Sequence, residues 1–222
     1  FLSDQDQVER LCALSLKKSN KNESIKFLSE AIPSLETNLP GIINEGFLSN
    51  HELEFGVKKR KDWNIALSKS KEIIDNSNIN LLKSLGFISK TLDNLSEILS
   101  VNEEHIGVAV TLNHGEFPQI SNQRFNNISP ISYALTKAQK IKVSWILILF
   151  RNGVRLYSIK NLGIAKRTRS ETYIECQPYL LSSQNSGLLW LLFSADALKQ
   201  KGTIHSILEN SQRFSIDIAE KL

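Results

Sequence analysis

The carboxylates of this sequence are the first side chains that could do chemistry. An Asp and an acidic-x-Lys pair on adjacent strands can hold a divalent cation and activate water for phosphodiester cleavage. The chain has 23 acidic residues, and none of them has a lysine two positions later. The nearest substitute is Glu175-Cys176-Gln177, because glutamine replaces the lysine in some metal-dependent nucleases. The alternative is that Glu175 is a sheet-edge glutamate on a solvated face. We predict no catalytic residue and no metal ligand.

Motifs for nucleotide or metal chemistry are missing as well. A P-loop needs a glycine-rich turn that ends in Gly-Lys-Ser/Thr, and a dinucleotide fold needs closely spaced glycines after a strand. The ten glycines are scattered and form neither motif. The histidines lack the spacing of metal ligands and are expected to be surface or turn residues; they are His51, His105, His114 and His205. We therefore expect no cofactor in this chain.

Two clusters of basic residues could contact phosphates. Lys58–Lys61 is the denser one, and Lys166–Arg169 lies in a loop between predicted strands. Each phosphate contact would release counterions, whereas the alternative is that each charge run is a solvated face. Aromatic residues do not alternate with the clusters, as a platform for single strands would require. The candidate contacts to double-stranded DNA are Lys58, Lys59, Arg60, Lys61, Lys166, Arg167 and Arg169.

Composition is typical of a globular protein of 222 residues, with 41% apolar and 23% charged residues. The net charge of +4 permits a nucleic-acid partner without requiring one. Two distant cysteines and a start that does not resemble a signal peptide favour a cytoplasmic location. The longest apolar run, Trp145–Phe150, is far shorter than the roughly 20 residues that span a bilayer. Because the chain has no methionine, we expect it to be part of a longer protein.

The first hundred residues show apolar spacings of three and four, which predict helices with one buried face. Residues 1–100 are therefore interpreted as a helical region. This interpretation includes Leu92–Leu99, since Asp93–Glu97 contains little that would break a helix.

The pattern changes near residue 105 to that of a mixed sheet with a crossover helix, over residues 101–180. Ser129-Pro130 is expected to open the helix, which runs to about Lys140. Asn152-Gly153 predicts a hairpin, and Arg155 and Tyr157 should share one face of its second strand. The predicted strands are Ile106–Leu112, Val143–Phe150, Val154–Ile159 and Glu171–Cys176.

Residues 181–222 are predicted to form two closing helices, Leu188–Leu198 and Ile204–Leu222. The fold class predicted from these patterns is α/β, of the α+β type.

Several segments together resemble a known family. They are Gly46–His51, Phe125–Leu135, Trp145–Gly153, Val154–Tyr157, Arg169–Glu175, Leu189–Ala195 and Ile207–Phe214. The segments from Phe125 onward resemble the region just before the methylase domain in large bacterial restriction–modification DNA methylases, the type IIG-like, single-chain or phage-defence enzymes. Gly46–His51 resembles the helical segment that such proteins carry near their start. The shared pattern is a strand, a turn, an Arg-Leu-Tyr strand, a Glu-bearing strand and a helix rich in Leu and Phe.

The resemblance implies a restriction-nuclease fold, active in some members of the family and degenerate in others. Here the strand Ile106–Leu112, where the acidic-x-Lys pair would be expected, contains no carboxylate. The glycine-rich cofactor loop and the Asn-Pro-Pro catalytic loop of the methylase would lie beyond Leu222. S-adenosylmethionine is thus implied for the parent protein, and the methylase domain of that protein is an expected partner.

Three functions follow as hypotheses. The first is a non-catalytic or degenerate nuclease-like module that assists DNA binding or docks on the methylase domain. The second is a divergent metal-dependent DNA endonuclease that uses Glu175 and Gln177. The third is a protein-interaction module without a nucleic-acid role, and no hypothesis includes a membrane.

Overall fold

A single mixed sheet organises the computed structural model, which describes residues 2–35, 39–75, 80–151, 153–160, 162–164 and 167–219. Within these residues the sheet has seven strands. They are β1 (Ile42–Glu45), β2 (Ile88–Asp93), β3 (Ser96–Val101), β4 (Glu104–Thr111), β5 (Trp145–Phe150), β6 (Gly153–Ser158) and β7 (Tyr173–Cys176). The spatial order is β1-β7-β6-β5-β4-β3-β2. Only β4 and β5 run parallel, and every other neighbouring pair is antiparallel.

Helices cover both faces of this sheet. They are α1 (Leu2–Leu16), α2 (Lys21–Leu35), α3 (Trp63–Asp75), α4 (Leu81–Ser84), α5 (Pro130–Lys140), α6 (Gly187–Phe193), α7 (Ala195–Leu198) and α8 (Thr203–Ala219). α5 packs on β4 and β5 on one face. The helices α3, α6, α7 and α8 enclose the larger core on the opposite face, and α1 and α2 pack together on the turn Pro178–Leu180.

The position of β5 between two cores explains why its sequence is a continuous apolar run. Trp145 and Leu147 belong to the larger core, whereas Ile146 and Ile148 belong to the core beneath α5. All four side chains are buried because successive side chains of a strand point to opposite faces, and both faces are covered. The prediction of a strand covered on both faces is confirmed.

The crossover helix also begins where the sequence predicts. The Ser129 hydroxyl accepts a hydrogen bond from the Ser132 N–H at 3.2 Å, and Pro130 occupies the first turn. This N-cap satisfies a donor that the first helical turn would otherwise leave unpaired. The helix therefore links the parallel strands β4 and β5 from a defined starting point.

The predicted helix over Leu92–Leu99 is wrong, because this segment contains the turn between β2 and β3. Asp93 closes the turn by accepting hydrogen bonds from the Leu95 N–H at 3.0 Å and the Ser96 hydroxyl at 2.8 Å. β3 then satisfies its backbone along both edges, against β2 and β4. Local turn chemistry and long-range pairing together outweigh the helical spacing.

The closing segment differs from its prediction in one respect. The helix predicted over Leu188–Leu198 is divided at Ser194, which is extended and accepts a hydrogen bond from the Ala197 N–H at 3.1 Å. Ser194 thus ends α6 and caps α7. The last predicted helix is confirmed as α8 over its described part.

The predicted fold class is confirmed, since the chain is a mixed α/β structure with helices around one sheet. The antiparallel pair β5–β6 agrees with the predicted hairpin, although Asn152 itself lies outside the described residues. The boundaries near residues 100 and 180 stay predictions. Within the described ranges, no helix combines the length and the apolarity needed to cross a bilayer.

Candidate nucleic-acid interface and the neighbouring polar clusters

The first basic cluster lies on the turn that precedes α3. Lys58, Lys59 and Lys61 are exposed, whereas Arg60 is half-buried. The Arg60 guanidinium donates two hydrogen bonds of 2.8 Å to the Asp62 carboxylate and one of 2.8 Å to the Ser206 hydroxyl. The bonds from Arg60 lower the pKa of Asp62, so this pair stays ionised. Arg60 therefore holds the turn against α8. The side chains of the three lysines are exposed and can contact a ligand.

The second basic cluster lies in the loop between β6 and β7. Lys166 falls outside the described residues. Arg167 is exposed and forms an ion pair with Glu45 at the end of β1. Arg169 is exposed and donates a long hydrogen bond of 3.4 Å to the carbonyl of Ile159. The described arginines therefore lie beside the end of β6 and the end of β1.

Contacts bring both clusters to the same end of the sheet. Ser206, which binds Arg60, follows His205, whose ring centroid lies 5.9 Å from that of Trp145. Trp145 begins β5 and pairs with Ser158, the last residue of β6. Arg169 binds the carbonyl of the next residue. The two clusters therefore border the same end of the sheet from opposite faces, the first beside α8 and the second beside Gln139 of α5.

Glu175 is not on a solvated sheet edge, so that interpretation is wrong. β7 pairs with β6 on one side and with β1 on the other, so it is an interior strand. In the β1–β7 pair, Ile43 lies opposite Glu175. The Glu175 side chain is only 3% exposed. Its Oε2 lies 2.6 Å from Arg155 Nη2, and its Oε1 accepts a hydrogen bond of 2.9 Å from Gln177 Nε2. Arg155 is its cross-strand partner on β6.

Arg155 and Tyr157 lie on the same face of β6, as predicted, and they form a buried polar cluster with Glu175. Arg155 Nη1 donates to the Tyr157 hydroxyl at 3.2 Å, and the guanidinium carbon lies 3.9 Å from the centroid of the Tyr173 ring. Burial raises the pKa of Tyr157 to about 12, so the phenol stays neutral. Both Glu175 oxygens already accept hydrogen bonds within this cluster, which argues against their use as metal ligands.

The carboxyl ends of β4 and β5 carry a site that the sequence did not indicate. A pocket of about 290 Å³ opens there beside the Arg155–Glu175 pair. Its lining consists of Leu112, Glu116, Phe117, Pro118, Phe150, Arg155, Glu175, Gln177 and Tyr179. Glu116 accepts two hydrogen bonds from Arg124, of 2.8 and 2.5 Å, and these bonds lower its pKa. Each carboxylate of the pocket is therefore neutralised by an arginine.

A second pocket of about 230 Å³ adjoins the first one and shares Glu116, Phe117 and Phe150 with it. It is lined by the cations Lys18, Lys26 and Arg151. We call the two pockets together the carboxyl-end recess. Only the rule that ligands bind outside the carboxyl ends of parallel strands could have pointed to it, because its cations are scattered along the sequence.

Asp93 is the centre of another polar cluster. Its carboxylate lies 2.7 Å from the Lys137 ammonium on α5, and Tyr133 donates a hydrogen bond of 2.8 Å to the same oxygen. Burial alone would raise the pKa of Asp93, but hydrogen bonds from Lys137, Leu95 and Ser96 outweigh it and lower the pKa. The cluster therefore joins α5 to the β2–β3 turn.

The lowered pKa of Asp93 predicts a pH dependence of stability. A carboxyl with a depressed pKa in the folded state stabilises the protein above its unfolded pKa and loses this contribution as the pH falls. We expect the unfolding free energy to decrease from about pH 5 downwards, and Asp93→Asn to flatten this dependence. Urea denaturation at a series of pH values measures it, with the exposed Asp217→Asn on α8 as the control. An unchanged dependence in Asp93→Asn would contradict the prediction.

The described histidines are found in separate places. The His51 ring stacks on Phe214 with centroids 4.1 Å apart, and His105 Nδ1 lies 2.8 Å from the Ser100 hydroxyl. His114 lines the recess. In the part of the chain that the structure describes, no three His, Cys, Asp or Glu side chains converge in a way that could hold a metal ion.

Comparison of the chain with protein-family models, with curated proteins and with solved structures finds no match. The geometry of the site therefore carries the functional argument.

Proposed function

We propose that this chain is a DNA-binding module of a restriction–modification DNA methylase and does not itself cleave DNA. The observation that carries the proposal is the group of exposed lysines Lys58, Lys59 and Lys61 on a turn that Arg60 holds against α8. The segments that resemble the region before a methylase domain support the choice of parent protein. That parent would use S-adenosylmethionine in the cytoplasm, and its methylase domain would be the docking partner.

The charge state of the first cluster suits phosphate contacts. Lys58, Lys59 and Lys61 are exposed, and none of them forms an ion pair within the described residues. Binding to duplex DNA would therefore not have to break existing salt bridges of these lysines. Such contacts position a protein on the duplex without reading its sequence, so we propose weak, salt-sensitive affinity that does not depend on sequence.

Removing the three lysines tests this proposal. In the triple variant Lys58→Ala/Lys59→Ala/Lys61→Ala we expect weaker duplex binding. The slope of log affinity against log salt should shrink by roughly 0.9 for each lost phosphate contact. Fluorescence anisotropy of a labelled duplex at several salt concentrations measures both quantities. Arg60 is kept because it holds the turn on α8.

The matched control removes three exposed lysines elsewhere, as Lys71→Ala/Lys83→Ala/Lys90→Ala, and should leave the salt slope nearly unchanged. Equal losses in the two triple variants would mean that only net charge matters and would refute the proposed interface. No shift of DNA at low salt by the unaltered protein would instead favour a protein-interaction module.

The divergent-nuclease alternative has a separate test. It predicts magnesium-dependent nicking of plasmid DNA that is lost in Glu175→Ala. We expect no nicking, because Arg155 and Gln177 already occupy the oxygens that a cation would need.

A further inference from the structure

The carboxyl-end recess has features that phosphate contacts at the other end of the sheet do not explain. Its two pockets measure about 290 and 230 Å³. Joined, they are within the range of about 300–1,000 Å³ that is typical of small-molecule sites. The recess lies where β4 and β5 end, at a position that suits ligands in open sheets with parallel strands.

The first pocket suits a flat ring. Phe117 is 57% exposed although it is a large apolar side chain, and Phe150 is half-buried beside it. Exposed aromatic faces stack well on nucleobases, and every base has such a face. Neither carboxylate of this pocket would repel a ligand strongly, since Arg155 and Arg124 compensate Glu175 and Glu116.

Gln177 can recognise the edge of that ring. Its Nε2 donates to Glu175 at 2.9 Å and its Oε1 accepts from the Tyr179 hydroxyl at 3.1 Å, which fixes the plane of the amide. A primary amide has two N–H donors and an oxygen with two lone pairs, so one donor and one acceptor site remain. A glutamine amide in this state matches the N6–H donor and N7 acceptor of adenine.

The second pocket suits a phosphate. Lys18, Lys26 and Arg151 line it, and Glu23 is the only lining carboxylate not compensated by an arginine. None of the three cations forms an ion pair within the described ranges. Burial lowers the pKa of Lys18, and the nearby charge of Arg151 lowers it further, while the Glu23 carboxylate partly offsets this effect. An anion would relieve the repulsion between Lys18 and Arg151.

We propose that the carboxyl-end recess binds an adenine nucleotide. The base lies between Phe117 and Phe150 with its edge on Gln177, and the phosphate lies against Lys18, Lys26 and Arg151. The same chemistry is offered by a free nucleotide and by an unpaired adenine nucleotide of a DNA strand. This inference goes beyond the proposed function and does not rest on it, since the recess and the lysine cluster lie at opposite ends of the sheet.

Two binding measurements test the inference on the full chain. Calorimetric titration with dAMP at low salt tests the free nucleotide, with dCMP as the comparison. Anisotropy of a labelled duplex with one unpaired dA, compared with an unpaired dC and a fully paired duplex, tests the DNA source. We expect about ten-fold preference for adenine in at least one measurement. Preference in the first assigns a free nucleotide, and preference only in the second assigns a base in DNA.

Variants locate the binding within the recess. Phe117→Ala and Arg151→Ala are exposed positions that should leave the fold intact, and each should weaken adenine binding about ten-fold. Phe55→Ala, at an equally exposed phenylalanine outside the recess, and Lys90→Ala should have no effect. Gln177→Met should abolish the preference for adenine over cytosine.

The inference is overturned if neither measurement shows a preference for adenine. It is equally overturned if Phe117→Ala and Arg151→Ala bind as the unaltered protein does. The triple lysine variant separates this test from that of the proposed function, because it should lose duplex affinity while it keeps its preference for adenine.

Discussion

Replacing Arg155 with leucine is expected to lower the free energy of unfolding by about 3–5 kcal/mol, because it leaves a buried carboxylate without its partner. The side chains of Arg155 and Glu175 are only 12% and 3% exposed. In Arg155→Leu, Glu175 would keep the bond from Gln177 but lose the bonds from the guanidinium. The Tyr157 hydroxyl would also lose its donor. Urea denaturation followed by circular dichroism measures the loss.

A double variant separates the ion pair from simple packing. In Arg155→Leu/Glu175→Leu both charges are gone, so we expect the protein to recover much of the stability that the single variant loses. Strictly additive losses would show that the carboxylate is not the source of the destabilisation. A loss below about 1 kcal/mol in Arg155→Leu would mean that water solvates Glu175 in the folded protein.

Trp145→Ala is the second change with a large expected effect, a loss of about 3–5 kcal/mol in unfolding free energy. The Trp145 side chain is 1% exposed and lies in the larger core. Its indole N–H donates a hydrogen bond of 2.9 Å to the carbonyl of Leu198 at the end of α7. Alanine would leave a cavity at the start of β5 and an unpaired carbonyl at the end of that helix.

Trp145→Phe distinguishes these two causes. Phenylalanine fills most of the space but cannot donate to Leu198, so the expected loss is about 1–3 kcal/mol. Both variants are measured by urea denaturation with circular dichroism. Equal losses in the two variants would assign the effect to the hydrogen bond alone, and a loss in Trp145→Ala below about 1 kcal/mol would contradict the packing argument.

The elements that sequence predicted correctly are those with a strong local cause. Ser129-Pro130 supplies the N-cap and the first turn of α5, and the run at Trp145–Phe150 has no polar residue that would face water. The apolar spacing of Leu92–Leu99 fits a helix, so the sequence predicts the wrong element there. Its turn depends on hydrogen bonds of Asp93, and its second strand is fixed by pairing with β4.

The candidate sites were predictable to different degrees. The cluster Lys58–Lys61 is visible as a run of charge, but only the structure shows that Arg60 binds Asp62 and Ser206. The burial of Glu175 depends on β1, which comes more than a hundred residues earlier in the chain. The recess depends on cations from the α1–α2 turn, α2 and the end of β5. No local window of sequence contains such a combination.

The sequence by itself determined the α/β class, the buried central strands and the starting point of the crossover helix, because local propensity and hydrophobic periodicity act over a few residues. The tertiary structure alone decided which polar residues meet. The strand order makes β7 an interior strand and places Arg155 opposite Glu175. The packing of the α1–α2 turn near the end of β5 brings Lys18 and Arg151 into one recess. Both outcomes come from pairing and packing between distant segments, whose partners no local pattern specifies.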